Sequence, residues 1–208
     1  MTLTELPDPE PHDGFEVLDV RTAGINYADT HQVRDDYLTR QELPLVPGGE
    51  VVGIRPDGTR VLAVVEGGYA SKVLAHPSMS FPLPAGVDDA QALALGVQGL
   101  TAWHLLRTSA RMQPGESVVV HAAAGGVGTL AVQLAKLFGA GRVIGLASTP
   151  QKRDLAAELG ADVTLDPAEP DLTAALVQAN GGDQIDVVLE MAGGPVFDGG
   201  SSRLGNFW

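Results

Sequence analysis

The sequence predicts an α/β protein in which a small antiparallel β unit is followed by a doubly wound parallel sheet. Up to about residue 87, short β-runs are separated by turn-forming residues, and from Asp88 onward helical periodicity alternates with short apolar runs. A Gly-rich turn at 125–128 joins one of these runs directly to a helix. We therefore predict two domains, at residues 1–87 and 88–208, and place the parallel sheet in the second.

Four strands are predicted in the first domain, where β-branched and aromatic residues are frequent. They are FEVLDVRTAGI (15–25), EVVGI (50–54), TRVLAVV (59–65) and YASKVLA (69–75). The segments PDG (56–58) and GG (67–68) are typical of tight turns between strands. Residues 27–40 are predicted to form a helical or irregular excursion.

The second domain is predicted to begin with one or two helices over residues 88–108. Asp88 or Asp89 suits the N-cap of this segment, and Gly96 or Gly99 is a weak point within it. After a turn at 112–116, four apolar runs are predicted to be parallel strands: ESVVVHAA (116–123), RVIGLA (142–147), VTL (163–165) and QIDVVLEM (184–191). The helices between them are VGTLAVQLAKLFG (127–139), PQKRDLAAELG (150–160) and DLTAALVQAN (171–180). No later strand is predicted, so the outer edge of the fourth strand is expected to be uncovered.

The composition excludes several functions. The 208 residues include 13 basic and 26 acidic side chains, a net charge of -13, which opposes binding to nucleic acids or anionic membranes. Without cysteine the chain has no disulfide, no thiolate zinc site and no cysteine nucleophile. The five histidines are scattered, so no metal is expected. The N-terminal segment lacks the apolar core of a signal peptide, and no apolar run is long enough to span a membrane, so a cytoplasmic location is expected.

The strongest local signal is the turn Gly125-Gly126-Val127-Gly128, which lies between a predicted strand and a predicted helix. The spacing Ala122-x-x-Gly125-x-x-Gly128 is that of a dinucleotide-binding fingerprint with alanine at its first position. A pyrophosphate can approach the N–H groups and dipole at such a helix start. The alternative is an ordinary strand-to-helix turn, but the repeated βα pattern favours a cofactor site. It would be lined by Ala122, Ala124, Gly125, Gly126, Val127 and Gly128.

The segment LASTPQKRD (146–154) indicates which dinucleotide binds. NAD sites have an acidic residue near this position, whereas here Ser148, Thr149, Lys152 and Arg153 follow the strand. Hydroxyls and cations suit a 2′-phosphate, so NADP(H) is predicted. The alternative is that both cations are merely solvated, although the first turn of a helix is an unfavourable place for them.

Five segments together resemble the zinc-free, quinone-oxidoreductase (zeta-crystallin-like) branch of the medium-chain dehydrogenase/reductase family. They are AGINYADT (23–30), PLVPGGEVVG (44–53), LGVQGLTAWHLL (95–106), HAAAGGVG (121–128) and LASTPQKRDLAAELGAD (146–162). The resemblance implies a GroES-like β domain followed by a Rossmann domain. Gly48-Gly49-Glu50 stands where zinc-dependent relatives have Gly-His-Glu, which implies chemistry without zinc.

The resemblance also implies an activity: hydride transfer from NADPH to a quinone or to an activated C=C of an enone or enoyl compound. It places Asn26 near the nicotinamide and the substrate, and Tyr37 where some enoyl reductases have a proton donor. It places Thr101 beside the nicotinamide ribose. Tyr37 as a half-buried loop aromatic and Thr101 as an ordinary helical residue stay open as alternatives.

Compared with that family, the chain begins after the opening strand and ends soon after the fourth Rossmann strand. The Rossmann sheet is therefore expected to be incomplete in its C-terminal half. Two hypotheses stay open: a working NADPH-dependent oxidoreductase, which could assemble as a homo-oligomer, and a catalytically inactive remnant that keeps nucleotide binding or a scaffold role.

Overall fold

The computed structural model describes residues 2–37 and 40–191, together with the backbone of residues 206–207. The chain divides into two compact units, Met1–Gln98 and Gly99–Trp208. From the change in hydrophobic period, we predicted a domain boundary between residues 87 and 88, which is earlier in the chain than the division after Gln98. The first helix after that point belongs to the first unit because its buried Ala92 and Leu93 pack against Val52 of the β-sheet.

The first unit is built on a five-stranded antiparallel sheet. Its strands are β1 (Glu16–Ala23), β2 (Glu50–Ile54), β3 (Arg60–Val64), β4 (Lys72–Ala75) and β5 (Ser80–Pro82), in the order β4-β1-β2-β3-β5. Helices α1 (Tyr27–Arg34) and α2 (Asp89–Leu93) and a short 3₁₀ turn (Pro77–Met79) complete it. Four of these strands were predicted. The fifth, β5, was missed because a three-residue edge strand ending in proline carries almost no periodic signal.

Ion pairs connect helix α2 to this sheet. Asp89 lies between two arginines, with Arg21 Nε 2.9 Å from Oδ2 and Arg60 Nη1 2.7 Å from Oδ1. The Arg21 and Arg60 hydrogen bonds hold the pKa of Asp89 below its ordinary value. Asp88, one of the two N-caps considered, accepts a hydrogen bond from the Gln91 backbone at 2.7 Å and caps the helix.

The helical segment that follows is interrupted where a weak point was predicted. After α2 the chain continues as a π-helical segment (Ala94–Gly99), α3 (Leu100–His104) and a second π-helical segment (Leu105–Ser109). Gly96 leaves helical geometry, with ψ at −114°. The predicted weakness at Gly96 is therefore confirmed, and it shapes the polar site described below.

The second unit is built on a parallel sheet with helices between its strands. Its elements are β6 (Ser117–Val120), α4 (Gly126–Leu137), β7 (Arg142–Leu146), α5 (Pro150–Glu158), β8 (Val163–Leu165), α6 (Leu172–Ala179), β9 (Val187–Leu189) and β10 (Asn206–Phe207). The strand order is β10-β9-β6-β7-β8, and every pair of neighbours is parallel. The predicted doubly wound sheet is confirmed.

One prediction about this sheet was wrong. The outer edge of the fourth strand was expected to be uncovered, yet Asn206 and Phe207 pair in parallel with Val187 and Val188 of β9. A two-residue strand is too short for a periodic pattern in the sequence, but its backbone groups satisfy part of an edge that would otherwise be open. The described sheet therefore has five strands rather than four.

Two apolar clusters lie in the second unit. Val119 and Ile144 of the sheet share one cluster with Leu176 of α6. Val118 and Val120 belong to the second cluster, together with side chains of α4 and neighbouring helices. Most of these side chains are small, which allows the helices to pack closely on the sheet. They are Ala102, Ala131, Val132, Ala135 and Ala156. Within the described part of the chain, none of the helices has the length and apolar character needed to cross a membrane.

Candidate functional site

The carboxyl ends of the central strands form the predicted cofactor site of the second unit. The chain passes from β6 to β7 and β8 on one side and then returns to β9 on the other side of β6. In open α/β sheets, ligands bind outside the strand ends at such a reversal. Backbone bonds tie these ends together, because His121 N donates to Leu189 O at 3.0 Å and Ala123 N donates to Leu146 O at 2.9 Å.

The turn after β6 depends on close backbone packing. Ala122, in the place of the first fingerprint glycine, adopts a left-handed conformation with φ at 49°. Its carbonyl accepts from Gly125 N at 2.7 Å. A Cβ on Gly128 would come within 3.0 Å of that same carbonyl oxygen, closer than real Cβ contacts. Glycine at 128 is therefore required for helix α4 to start against the turn.

The start of α4 can hold an anion. The backbone N–H of Thr129 donates to Gly125 O at 2.9 Å as the first helical bond. The N–H groups of Gly126, Val127 and Gly128 precede it, so they have no acceptor within the helix. Gly125 and Gly126 are exposed and Ala124 is half-buried. These N–H groups, together with the dipole of a 12-residue helix, fit a diphosphate.

The end of β7 presents hydroxyls and one exposed cation beside this turn. Ser148 and Thr149 are exposed, and Thr149 caps α5 by accepting from Lys152 N at 3.3 Å. Lys152 is also exposed, and the described residues give it no ion-pair partner within 4.0 Å. Arg153 differs, because its Nη1 donates at 2.8 Å to both Ala147 O and Asp166 Oδ2. Of the two predicted cations, Lys152 is the one left exposed to a ligand.

A buried pair that the sequence analysis did not single out lies at the same strand ends. His121 follows β6 and Glu190 follows β9, and His121 Nδ1 is 3.2 Å from Glu190 Oε2. Both side chains are almost completely buried. Burial lowers the pKa of His121, and the nearby Glu190 charge opposes that shift only in part. Burial therefore favours the neutral form of His121.

The first unit contains a buried polar network around Asn26, which is 8% exposed. Asn26 Nδ2 donates to Glu50 Oε1 at 2.8 Å, and Gln98 Nε2 donates to Asn26 Oδ1 at 3.2 Å. The other oxygen of Glu50 accepts from Val97 N at 2.8 Å. We name Asn26, Glu50, Gln98 and the backbone N–H of Val97 the Asn26 network. It gives the predicted site residue fixed polar partners.

The backbone of Asn26 is anchored as well. Asp29 Oδ2 accepts from Asn26 N at 2.8 Å and from the Tyr69 hydroxyl at 2.6 Å. Burial, reinforced by the hydrogen bond to Asp29, raises the pKa of Tyr69 well above its ordinary value of 10.0. Tyr69 therefore stays protonated and serves to hold Asp29, which in turn holds the start of α1.

Tyr37, the predicted proton donor, lies elsewhere in the first unit. It is 44% exposed and lines an open cavity of about 470 Å³ together with Tyr27, Ala28, His31 and Asp36. The His31 ring is stacked near Tyr37, 6.3 Å between centroids, and its Nδ1 is 2.8 Å from Asp36 Oδ1. Asn26 does not line this cavity. The structure thus gives Asn26 and Tyr37 separate surroundings.

Thr101 and the histidine and acidic side chains are the remaining residues considered for a site. Thr101 lies on α3 in the second unit with an exposed side chain. Among the residues that the structure describes, no three His, Asp or Glu side chains come together in a group that could hold a metal ion. Gly49, which the resemblance aligns with a histidine of zinc-dependent relatives, has no side chain that could bind a metal.

Sequence reasoning missed Glu50 and Gln98 as members of a site, as well as the pair His121 and Glu190. One signal was present, since Glu50 is a carboxylate that opens the apolar strand EVVGI and is therefore expected to need partners when buried. Its partners lie 24 and 47 residues away along the chain. Their identity could not be read from local sequence.

Three comparisons place this architecture among known proteins. A family model described as zinc-binding dehydrogenase matches residues 126–202. The quinone oxidoreductase of Rattus norvegicus is 31% identical over 198 residues, which cover 89% of this chain and 59% of the relative. The chain thus spans about three fifths of the length of this curated relative.

Two solved structures are similar over nearly the whole chain. The quinone oxidoreductase of Thermus thermophilus, whose complex with NADPH was also solved, is 39% identical with a TM-score of 0.85, covering 96% of this chain and 68% of that one. The Escherichia coli quinone oxidoreductase complexed with NADPH is 30% identical with a TM-score of 0.87, covering 98% and 70%. These similarities confirm the predicted GroES-like unit followed by a Rossmann sheet. The chain belongs to the quinone oxidoreductase branch of the medium-chain dehydrogenase/reductase family.

Proposed function

We propose that this chain is an NADPH-dependent oxidoreductase that reduces a quinone or an activated C=C of an enone or enoyl compound. The observation that carries the proposal is the turn Ala122–Gly128, whose backbone packing and free helix start fit a diphosphate. The NADPH complexes of the two similar quinone oxidoreductases support the choice of cofactor.

For the cofactor, we propose that the N–H groups of Gly126, Val127 and Gly128 hold the diphosphate. Ser148, Thr149 and Lys152 would hold the 2′-phosphate, since hydroxyls and an exposed ammonium all donate hydrogen bonds to phosphate oxygens. Arg153 would contribute through its positive charge more than through direct bonds, because its Nη1 already binds Ala147 and Asp166. When bound, NADPH supplies the hydride.

For the acceptor, we propose roles for Asn26, Tyr37 and Thr101. Reduction of a carbonyl-conjugated acceptor also requires a proton, and the exposed Tyr37 hydroxyl can donate one. Asn26, with its amide held by the Asn26 network, would donate a hydrogen bond to an acceptor oxygen. Thr101 would contact the ribose on the nicotinamide side of the cofactor.

A second candidate function is nucleotide binding without turnover. The observation that favours it is that Asn26 is buried and does not line the cavity that Tyr37 lines, so the two side chains proposed to act on the acceptor have separate surroundings. The cofactor turn is complete in both cases, so cofactor binding alone does not separate the two functions.

The test is NADPH consumption by the purified chain, with 9,10-phenanthrenequinone and with an enone as acceptors, and NADPH-induced thermal stabilisation measured on the same sample. We expect turnover with at least one acceptor. Stabilisation without turnover would instead support the binding-only function. A folded sample that shows neither response would contradict both.

A further inference from the structure

We propose that Glu50 is a positioning residue, which fixes the orientation of the Asn26 side-chain amide and thereby decides which polar group Asn26 offers to the acceptor. The inference rests on the proposed function, because that function gives Asn26 its role toward the acceptor. It concerns a carboxylate at the position just after Gly48-Gly49, in a chain that has no histidine there.

Glu50 is an unusual buried group. Its side chain is 1% exposed, and its two oxygens accept hydrogen bonds from neutral donors, Asn26 Nδ2 and Val97 N, both at 2.8 Å. Among the residues that the structure describes, no cation forms an ion pair with Glu50. A buried carboxylate in such surroundings is costly, and a neutral residue at this position would avoid the cost of burying a charge. Because two neutral donors need hydrogen-bond acceptors but not a full negative charge, a role in the site explains the carboxylate better than stability does.

The surrounding backbone leaves space for this side chain. A Cβ on Gly24 would lie 2.5 Å from Glu50 Oε1, and a Cβ on Gly96 would come within 3.0 Å of Oε2. The kink at Gly96 also brings the Val97 N–H to Glu50. Two glycines and an interrupted helix therefore make room for the side chain of Glu50.

The chemistry of these contacts determines the orientation of the amide. Each oxygen of Glu50 accepts from an N–H donor, so Asn26 must turn Nδ2 and not Oδ1 toward it. Asn26 Oδ1 then faces Gln98 Nε2, which also donates to Ile25 O at 3.3 Å. A terminal amide that has a donor bound on one side and an acceptor bound on the other cannot rotate without losing both bonds.

One N–H of Asn26 Nδ2 is not used by the bond to Glu50. That N–H suits a carbonyl oxygen of a quinone or enone, on which negative charge develops during reduction. If Glu50 were glutamine, its own amide could donate to Asn26 Oδ1. The Asn26 amide could then turn over and present its oxygen, which repels the developing charge. Glu50→Gln therefore changes the orientation of Asn26 while the volume at position 50 stays almost the same.

The experiment measures kcat and KM with NADPH and 9,10-phenanthrenequinone for the wild-type chain, E50Q, N26A and the double variant. We expect E50Q to lower kcat about tenfold to a hundredfold, as small misplacements of a site group do, with the KM for NADPH changed less than about twofold. In the N26A background, E50Q should change kcat by less than about twofold, because Glu50 acts through Asn26. An E50Q effect of the same size in both backgrounds would overturn the proposal.

A matched control removes a different carboxylate of the same unit. Glu16 Oε1 lies 2.7 Å from Arg55 Nε, and both side chains are largely buried. E16Q should lower the thermal midpoint while kcat stays within about twofold of the wild-type value. If E16Q lowers kcat as much as E50Q does, the effect of E50Q is a general loss of stability, and the positioning role is contradicted.

A second measurement does not depend on turnover. The side-chain amide signal of Asn26, assigned by its absence in N26A, is recorded by ¹⁵N–¹H NMR in the wild type and in E50Q. We expect the signal to move in E50Q; an unmoved signal would overturn the proposal, whether or not the wild-type chain is active. If the signal moves in E50Q but the wild-type chain shows no turnover, the Glu50–Asn26 contact is supported and the proposed function is contradicted instead.

Discussion

Lys152 and Arg153 are neighbours in the first turn of α5, yet they differ in what they can offer to a ligand. Arg153 Nη1 is bound to Ala147 O and Asp166 Oδ2, whereas Lys152 is exposed. The sequence predicted a cation cluster at this point but not which cation has an internal partner. That difference depends on Asp166, which follows β8 and lies 13 residues from Arg153 along the chain.

This difference makes Lys152 the cation expected to bind the 2′-phosphate. Lys152→Ala should raise the Kd for NADPH about tenfold, the effect of losing one charge-assisted hydrogen bond, and change the Kd for NADH less than about twofold. Fluorescence titration with the two cofactors would measure both constants.

The matching control is Lys136→Ala, which removes the same charge from the last turn of α4, where Lys136 Nζ lies 2.8 Å from Asp162 Oδ1. K136A should leave the preference for NADPH over NADH unchanged. Equal losses for both cofactors in K152A would argue against a 2′-phosphate contact at Lys152.

At the scale of elements, the start of α4 has a strict steric requirement. Gly128 is a helical residue, and a Cβ there meets the carbonyl of Ala122, which is backbone and cannot rotate away. We expect Gly128→Ala to push α4 away from the turn, to raise the Kd for NADPH more than about tenfold, and to cost roughly 1–3 kcal/mol of stability. Cofactor titration and chemical denaturation would measure the two effects.

Gly49→Ala provides the comparison, because a Cβ on Gly49 would meet nothing within 4 Å. That variant should bind NADPH as the wild type does. Wild-type binding by G128A would mean that the turn can widen without loss, and the steric requirement would be refuted.

The elements also show what could be predicted from the sequence. The turn at Gly125–Gly128 and the strands and helices on either side of it were predictable, because a strand, a glycine motif and a helix follow one another directly. Strands β5 and β10 were missed, since three and two residues are too few to show a period. The Asn26 network was missed for another reason, as its bonds connect segments that only the fold brings together.

At the scale of the whole molecule, two effects of pH oppose each other. With 26 acidic and 13 basic residues, the chain carries a net charge of -13 at pH 7, so mild acidification reduces repulsion within the folded protein. Buried His121 has the reverse effect. Its pKa in the folded chain lies below the ordinary value of 6.5, so the unfolded chain binds a proton first as the pH falls.

The stabilising contribution of neutral His121 is therefore fully present above pH 6.5 and is lost as the pH falls from there toward the lowered pKa. We expect the thermal midpoint of the wild-type chain to fall more steeply between about pH 7.5 and pH 5.5 than that of His121→Asn. Thermal unfolding followed by circular dichroism at several pH values in this range would measure the two thermal midpoints. The control is His12→Asn, at an exposed histidine, which should follow the wild-type curve. If the thermal midpoints of the wild type and H121N fall equally steeply with pH, His121 does not cause the loss of stability in acid.

The close fit of Glu50 against Gly24 and Gly96 also has an evolutionary consequence. A side chain at either glycine would overlap Glu50, so Glu50 would have to leave its present position before either glycine could be replaced. If position 50 changes to a smaller residue first, the overlap is removed at both positions, although Gly96 keeps its non-helical backbone. Once one of them has gained a Cβ, glutamate at position 50 is no longer accommodated. The order of substitution thus matters at these three positions, and a lineage that has lost this carboxylate and then a glycine cannot regain the original arrangement by a single reversion.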